Sequence, residues 1–158
     1  MADRLKDKVA IITGAGAIGE GWGNGKATAV LFAREGATVV CADINPAAAE
    51  ETAAIIAEEG GQAMVVAVDV TDSAQVKAMA DAAVESFGRI DILHNNVGIA
   101  EVGGPVEASE ESWDRVQAVN LKSSFLTCKH VIPQMQAQGE GAIVNVSSIS
   151  GERWLGVP

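Results

Sequence analysis

The chain has 158 residues, enough for one domain with a hydrophobic core and too few for two comfortable ones. Hydrophobic residues make up 48% and charged residues 20%, the balance of a folded globular protein. A formal charge of -10 speaks against a nucleic-acid partner, and no apolar run is long enough to span a bilayer.

The opening "MADRLKDK" is polar and lacks the apolar stretch of a signal peptide, so a cytoplasmic location is expected. Five short segments rich in Val and Ile follow along the chain: 8–14, 37–43, 63–69, 90–96 and 141–148. Continuous apolar runs of this length predict buried strands of a parallel sheet, covered on both faces. Between them, helical periodicity is predicted over 25–35, 46–59, 73–87 and about 109–138. Asn45-Pro46 and Thr71-Asp72-Ser73 supply helix starts, and Gly36, Gly60-Gly61 and Gly88 supply helix ends. Pro133 is expected to bend or interrupt the last helix. Strand and helix alternating in this way predict right-handed crossovers and a doubly wound α/β sheet within one domain.

Cys41 and Cys128 show no ligand or redox spacing and are expected to be reduced core thiols. His94 and His130 are far apart and have no cysteines nearby, so no metal site is expected.

The stretch "TGAGAIGEGWGNGKATA", residues 13–29, carries the chemistry. A triphosphate loop requires G-x-x-x-x-G-K-[ST], and Gly25-Lys26 supplies its end. Glu20 stands where the first glycine belongs, and Ala27 stands where a magnesium-binding hydroxyl belongs. The alternative is a dinucleotide turn, in which a strand leads through glycines into a helix whose N-terminus faces pyrophosphate. That reading also needs an acidic residue at the tip of the second strand, about 20 positions on, to hold the ribose hydroxyls. Asp43 ends "ATVVCAD", 18 residues after Gly25. The pattern therefore favours Gly14, Gly23 and Gly25, with Asn24 between the last two, and leaves 15–22 as an enlarged turn. A rival register through Gly19 and Gly21 would start the helix inside "EGWGNG", where glycine weakens it. Asp43 accepts from both hydroxyls of an NAD ribose and repels the extra phosphate of NADP, so NAD is expected over NADP.

Taken in order, the motifs resemble the short-chain dehydrogenase/reductase family. They run from Thr13-Gly14 with Gly23 and Gly25, through Asp43 and Asp69-Val70, to Asn95-Asn96-Val97-Gly98, Asn120 and Ser147-Ser148-Ile149-Ser150-Gly151. The resemblance covers the whole chain and implies a Rossmann-type doubly wound parallel sheet, incomplete on its C-terminal side. It implies that Asp69 accepts from the adenine amino group with Val70 beside the ring. Asn96, Val97 and Gly98 would form the turn that borders the cofactor ribose. Asn120 would hold a water of a proton relay, and Ser148 would hydrogen-bond the reacting oxygen, with Ser147 the alternative. The partner implied is a small-molecule alcohol or ketone.

The chain departs from the family in three places. Residues 15–22 are longer than the usual spacer, so their contacts do not carry over. Val97 replaces the common alanine. The family's acid/base is a tyrosine about a dozen residues past the serine with a lysine four positions on; this sequence has no tyrosine. The chain is thus expected to be the NAD(P)-binding part of the enzyme, cut before that segment, with "AIVNV" left as an apolar sheet edge. The intact protein is expected to be a homo-oligomer, a dimer or tetramer. The substrate would be read by residues 99–108 and 149–158, Trp154 among them. A dinucleotide-binding or regulatory module without catalysis is the alternative from another class.

Overall fold

The computed structural model describes residues 3–152 apart from Glu20 and Val102. The expectations for Glu20, for Trp154 and for the 153–158 end of the proposed substrate loop lie outside the described residues.

Strand β1 (Val9–Thr13) leads into helix α1 (Asn24–Arg34), followed by β2 (Thr38–Asp43), α2 (Pro46–Glu58), β3 (Gln62–Ala67), α3 (Ser73–Phe87) and β4 (Ile92–Asn95). Then come α4 (Glu110–Gln117), a π-helical turn (Ala118–Lys122), α5 (Ser123–Gln138), β5 (Ala142–Asn145) and a short 3-10 turn at Ile149–Gly151. The five strands form one parallel sheet in the order β3-β2-β1-β4-β5. The fold is α/β and Rossmann-like. The winding reverses between β1 and β4, and such a reversal opens a crevice at the carboxyl ends of the two strands.

Local chemistry accounts for the element boundaries. Pro46 occupies the first turn of α2, where its missing N–H costs nothing. The Asp72 carboxylate caps α3 by accepting from the N–H groups of Ala74 and Gln75 at 2.8 and 3.0 Å. Gly88, at φ 75°, ends α3 in the left-handed conformation that glycine adopts without strain.

Register sorts the strand side chains into two cores. Ile11 pairs with Val40 and Leu93 across the sheet, and these face α3 and α5 together with Val76, Met79 and Val131. Ile12 pairs with Cys41, and this row faces α1 and α2 with Val39, Val30 and Ile56. Burial pushes the Cys41 thiol up to about 12, so it stays protonated and packs as an apolar group.

Two expectations are corrected. The apolar runs predict strands covered on both faces; β1 and β2 are, but β3 is only half-buried, while β5, expected as a sheet edge, is mostly exposed. The reason is position, since β3 and β5 are the two edges of the described sheet. Pro133 does not interrupt the last helix, which runs through it to Gln138. Pro133 and Lys129 are both exposed, so the carbonyl that the ring leaves without an N–H faces water. The irregularity falls instead at Ala118–Lys122, where the π turn separates α4 from α5.

An ion cluster closes the amino ends of the central strands. The buried Asp91 carboxylate accepts from the Val9 N–H at 2.9 Å, from Lys8 Nζ at 3.3 Å and from Arg89 Nε at 2.7 Å. Burial pushes the Asp91 carboxyl up, but Arg89, the Val9 N–H and Lys8 outweigh it and hold the group below its ordinary value. Asp91→Ala strands the buried Val9 N–H and takes one carboxylate from Lys8 and Arg89, which keep Glu140 at 2.9 and 2.8 Å. Urea unfolding is expected to show a loss of about 2–4 kcal/mol.

His94 lies on the α1 side of β4 in a T-shaped contact with Phe32, its ring centroid 6.2 Å away, and its buried Nδ1 has no partner among the described residues. Burial lowers its pKa from 6.5, so the unfolded chain binds a proton more readily than the folded one. The His94 contribution is therefore complete above about pH 6.5 and is lost as pH falls from there towards the depressed folded pKa. Melting curves across this range are expected to flatten in His94→Leu relative to the unaltered protein.

Candidate dinucleotide-binding site

The site begins where β1 ends. Gly14 turns the chain with φ +66°, and a Cβ there would stand 3.2 Å from both Asn96 Nδ2 and Val97 Cγ2. Asn96 ties the ends of β1 and β4 together: its N–H donates to Thr13 Oγ1 at 3.1 Å, and its Nδ2 donates to the Gly14 carbonyl at 3.3 Å. Helix α1 starts at Asn24 with Gly23 as its cap, so the helix does not begin in the rival register at Gly21. A Cβ on Gly25 would sit 1.8 Å from the Gly14 carbonyl oxygen, a distance that backbone cannot accommodate. Only glycine lets the first turn of α1 come this close to the strand end.

That first turn carries no acidic residue, and Gly23 offers no side-chain cap. The leading N–H groups of a helix have no partner within it, so a partial positive charge remains at this end. The arrangement suits an anion.

Asp43 stands at the tip of β2. Its Oδ2 accepts from the Gly16 N–H and its Oδ1 from the Asn45 N–H, both at 2.9 Å. These two bonds orient the carboxylate and leave each oxygen a further lone pair. Gly16 is held in turn by its neighbour, because the Ala15 N–H donates to the Ala42 carbonyl at 3.2 Å and the Ala15 carbonyl accepts from Thr52 Oγ1 at 2.8 Å. A Cβ on Gly16 would meet Ala48 Cβ at 2.5 Å, so this position too is closed to larger residues.

Around these groups lies a cavity of about 800 Å³. Its size is within the range of cofactor and ligand pockets. Of the residues expected at the cofactor, Gly14, Gly23, Asn24, Gly25, Asp43, Asp69, Val70, Asn96, Val97 and Gly98 line it together. Thr13 does not; it is buried beneath the wall and joins β1 to β4 through its hydroxyl. Asp69 accepts from the Thr71 N–H and hydroxyl at 2.8 and 2.7 Å, all on Oδ1.

Asn120 and Ser148 stand outside the wall. Asn120, in the π turn, is paired in both directions with Ile99: its Oδ1 accepts from the Ile99 N–H and its Nδ2 donates to the Ile99 carbonyl, each at 2.8 Å. Ile99 and the adjacent Val119 both line the cavity. Ser148 caps the 3-10 turn, where its Oγ accepts from the Ser150 N–H at 3.1 Å. The wall residues that sequence reasoning missed include Gly16, Ile18, Trp22, Ile44, Thr71 and Val119. Ile44 and Thr71 follow Asp43 and Asp69 closely, a proximity that marked them. Nothing in the spacing marked Gly16 or Val119.

The family profile described as short chain dehydrogenase matches residues 8–157, and the chain belongs to this family. An uncharacterized oxidoreductase of Bacillus subtilis is 46% identical over 149 residues, which are 94% of this chain and 52% of that protein. A short-chain dehydrogenase/reductase structure from Burkholderia xenovorans superposes with a TM-score of 0.95 at 49% identity, covering 98% of this chain and 61% of that one. A 7α-hydroxysteroid dehydrogenase, solved with NADH and 7-oxoglycochenodeoxycholic acid, gives a TM-score of 0.89 at 37% identity, covering 97% and 58%. The chain thus spans between half and three-fifths of the length of these relatives.

Among the described residues, the Asn120 amide carries both hydrogen bonds between the π turn and the backbone of Ile99. Asn120→Ala is expected to lower stability by only about 1 kcal/mol, because the freed groups meet water. Hydrogen exchange at the Ile99 amide is expected to accelerate about fivefold, in line with that loss of protection.

Proposed function

We propose that residues 1–158 form one NAD-binding domain of an oxidoreductase that passes a hydride between nicotinamide and a secondary alcohol or ketone. The observation that carries this reading is the placement of Asp43: an oriented carboxylate at the tip of β2, on the same cavity as the uncapped N-terminus of α1. The closed positions at Gly14, Gly16 and Gly25 and the size of the cavity fit a dinucleotide.

The leading amides of α1 and the Gly14 turn would hold the pyrophosphate. Asp43 would accept the ribose hydroxyls with the lone pairs that Gly16 and Asn45 leave free. The same negative charge disfavours the additional phosphate of NADP. The NADH held by the hydroxysteroid dehydrogenase relative supports this preference. Asp69 would accept from the adenine amino group with Val70 against the ring, and Asn96, Val97 and Gly98 would border the second ribose. The nicotinamide supplies hydride acceptance or donation when bound.

The other roles belong to the chain. Asn120 would hold the Ile99 backbone and a relay water. Ser148 Oγ would polarise the substrate oxygen; its hydroxyl now donates to Ser150 Oγ at 3.1 Å and must rotate towards the substrate, while the Ser150 N–H keeps the oxygen in place. The sequence contains no tyrosine, and the proton step is assigned to no residue of this chain. The cellular setting proposed is the cytoplasm, with the intact protein a homo-oligomer.

Calorimetry with NAD, NADP and magnesium ATP tests the cofactor. NAD is expected to bind most tightly, and Asp43→Ala to weaken it about tenfold or more, the loss of charged hydrogen bonds to the ribose. Because the variant removes the charge that opposes NADP, its NAD-to-NADP preference is expected to shrink. Binding of magnesium ATP alone would reject the dinucleotide site. NAD binding without turnover on any secondary alcohol by the full-length protein would favour a non-catalytic module.

A further inference from the structure

Three exposed large apolar side chains stand around one opening. Ile18, Trp22 and Ile44 are 106%, 60% and 72% exposed, and all three line the cavity at the N-terminus of α1. Single exposed apolar side chains are ordinary, but several converging on one cavity mark a surface that a ligand covers. Ile44 adjoins Asp43. Ile18 and Trp22 belong to the enlarged turn at 15–22, whose contacts no family pattern supplies.

Trp22 directly precedes Gly23, the cap of α1, and lines the cavity together with Gly23, Asn24 and Gly25 of the helix start. One charged neighbour lies over the ring. Lys26 Nζ lies 5.7 Å from the ring centroid, within reach of a cation–π attraction. Lys26 is itself buried, and its ammonium is 3.6 Å from Glu51 on α2. A lysine paired with a second helix therefore stands over the indole, which remains 60% exposed at the cavity.

We propose that Trp22 is a cofactor-binding residue whose indole covers the pyrophosphate stretch of the dinucleotide at the start of α1. The proposal rests on the dinucleotide reading above. An indole there excludes water from the phosphate contacts, and hydrogen bonds to charge strengthen where water is excluded. Tryptophan offers this cover with few rotatable bonds to immobilise. Lys26 acts as the positioning residue, holding the ring by charge.

The test uses NADH, ADP and AMP as probes, with calorimetry and tryptophan emission as readouts. The unaltered protein is expected to bind NADH with quenching of its emission. Trp22→Ala is expected to weaken NADH and ADP about tenfold and AMP less than about twofold, since AMP lacks the pyrophosphate. Trp22→Phe keeps an aromatic cover and is expected to retain most of the affinity while losing most of the quenching, whereas Trp113→Phe retains both. Circular dichroism on the same samples checks that the variants fold, which the exposure of Trp22 favours. Unchanged affinity of Trp22→Ala for NADH and ADP, equal losses for AMP and ADP, or full quenching in Trp22→Phe would each overturn the proposal and leave the dinucleotide site standing. Failure of the unaltered protein to bind NADH would overturn both.

Discussion

The first turn of α1 rests against the carbonyl of Gly14, so close that a single Cβ at Gly25 would lie 1.8 Å from that oxygen. Much else follows from this contact. It brings the positive end of a helix to the end of the central strand β1, where the winding of the sheet reverses. It also dictates that the residues between must leave the direct path, and the enlarged turn carries Ile18 and Trp22 outward to the cavity rim. The helix is held from its far side by packing: Ala29 and Val30 are buried against the β1–β2 face. A larger residue at Gly25 would have to lift that whole interface, because close-packed interiors do not yield by ångströms.

The ends of the central strands divide the work. At the amino ends, Asp91 gathers Val9, Lys8 and Arg89 into a closed ionic cluster that stabilises the sheet. At the carboxyl ends, the polar groups are only partly consumed by the protein. Asp43 spends one lone pair per oxygen on backbone, and the first turn of α1 lacks a side-chain cap. Unsatisfied hydrogen-bonding capacity gathered in a cavity is what distinguishes a binding site from a structural cluster built of the same residue types.

Much of this was legible along the chain because it depends on local chemistry. Apolar runs of Val and Ile gave the five strands, Pro46 and Asp72 the helix starts, and Gly88 a helix end. The interval from Gly25 to Asp43 also marked the acidic tip of β2, since one helix and one strand fix that distance. Contacts between distant segments were not legible. Nothing near Gly16 announces that its N–H meets Asp43 Oδ2, nor does the composition around Asn120 announce a reciprocal pairing with Ile99. Pro133 does not interrupt α5, and its exposure and that of Lys129, which packing decides, were not legible locally either.

By itself, then, the sequence determined the alternation of strand and helix, the position of the glycine turn and the family to which the chain belongs. Those properties follow from hydrophobic period, backbone freedom and ordered spacing, all of which are written locally. The tertiary structure alone decided which glycines are sterically obligatory, that β3 is a half-covered edge, and that Thr13 supports the cavity wall from behind. It alone decided that Lys26 reaches both Glu51 and the Trp22 ring. Each of these depends on how close two remote segments come, and that distance is set by the packing of helices on the sheet.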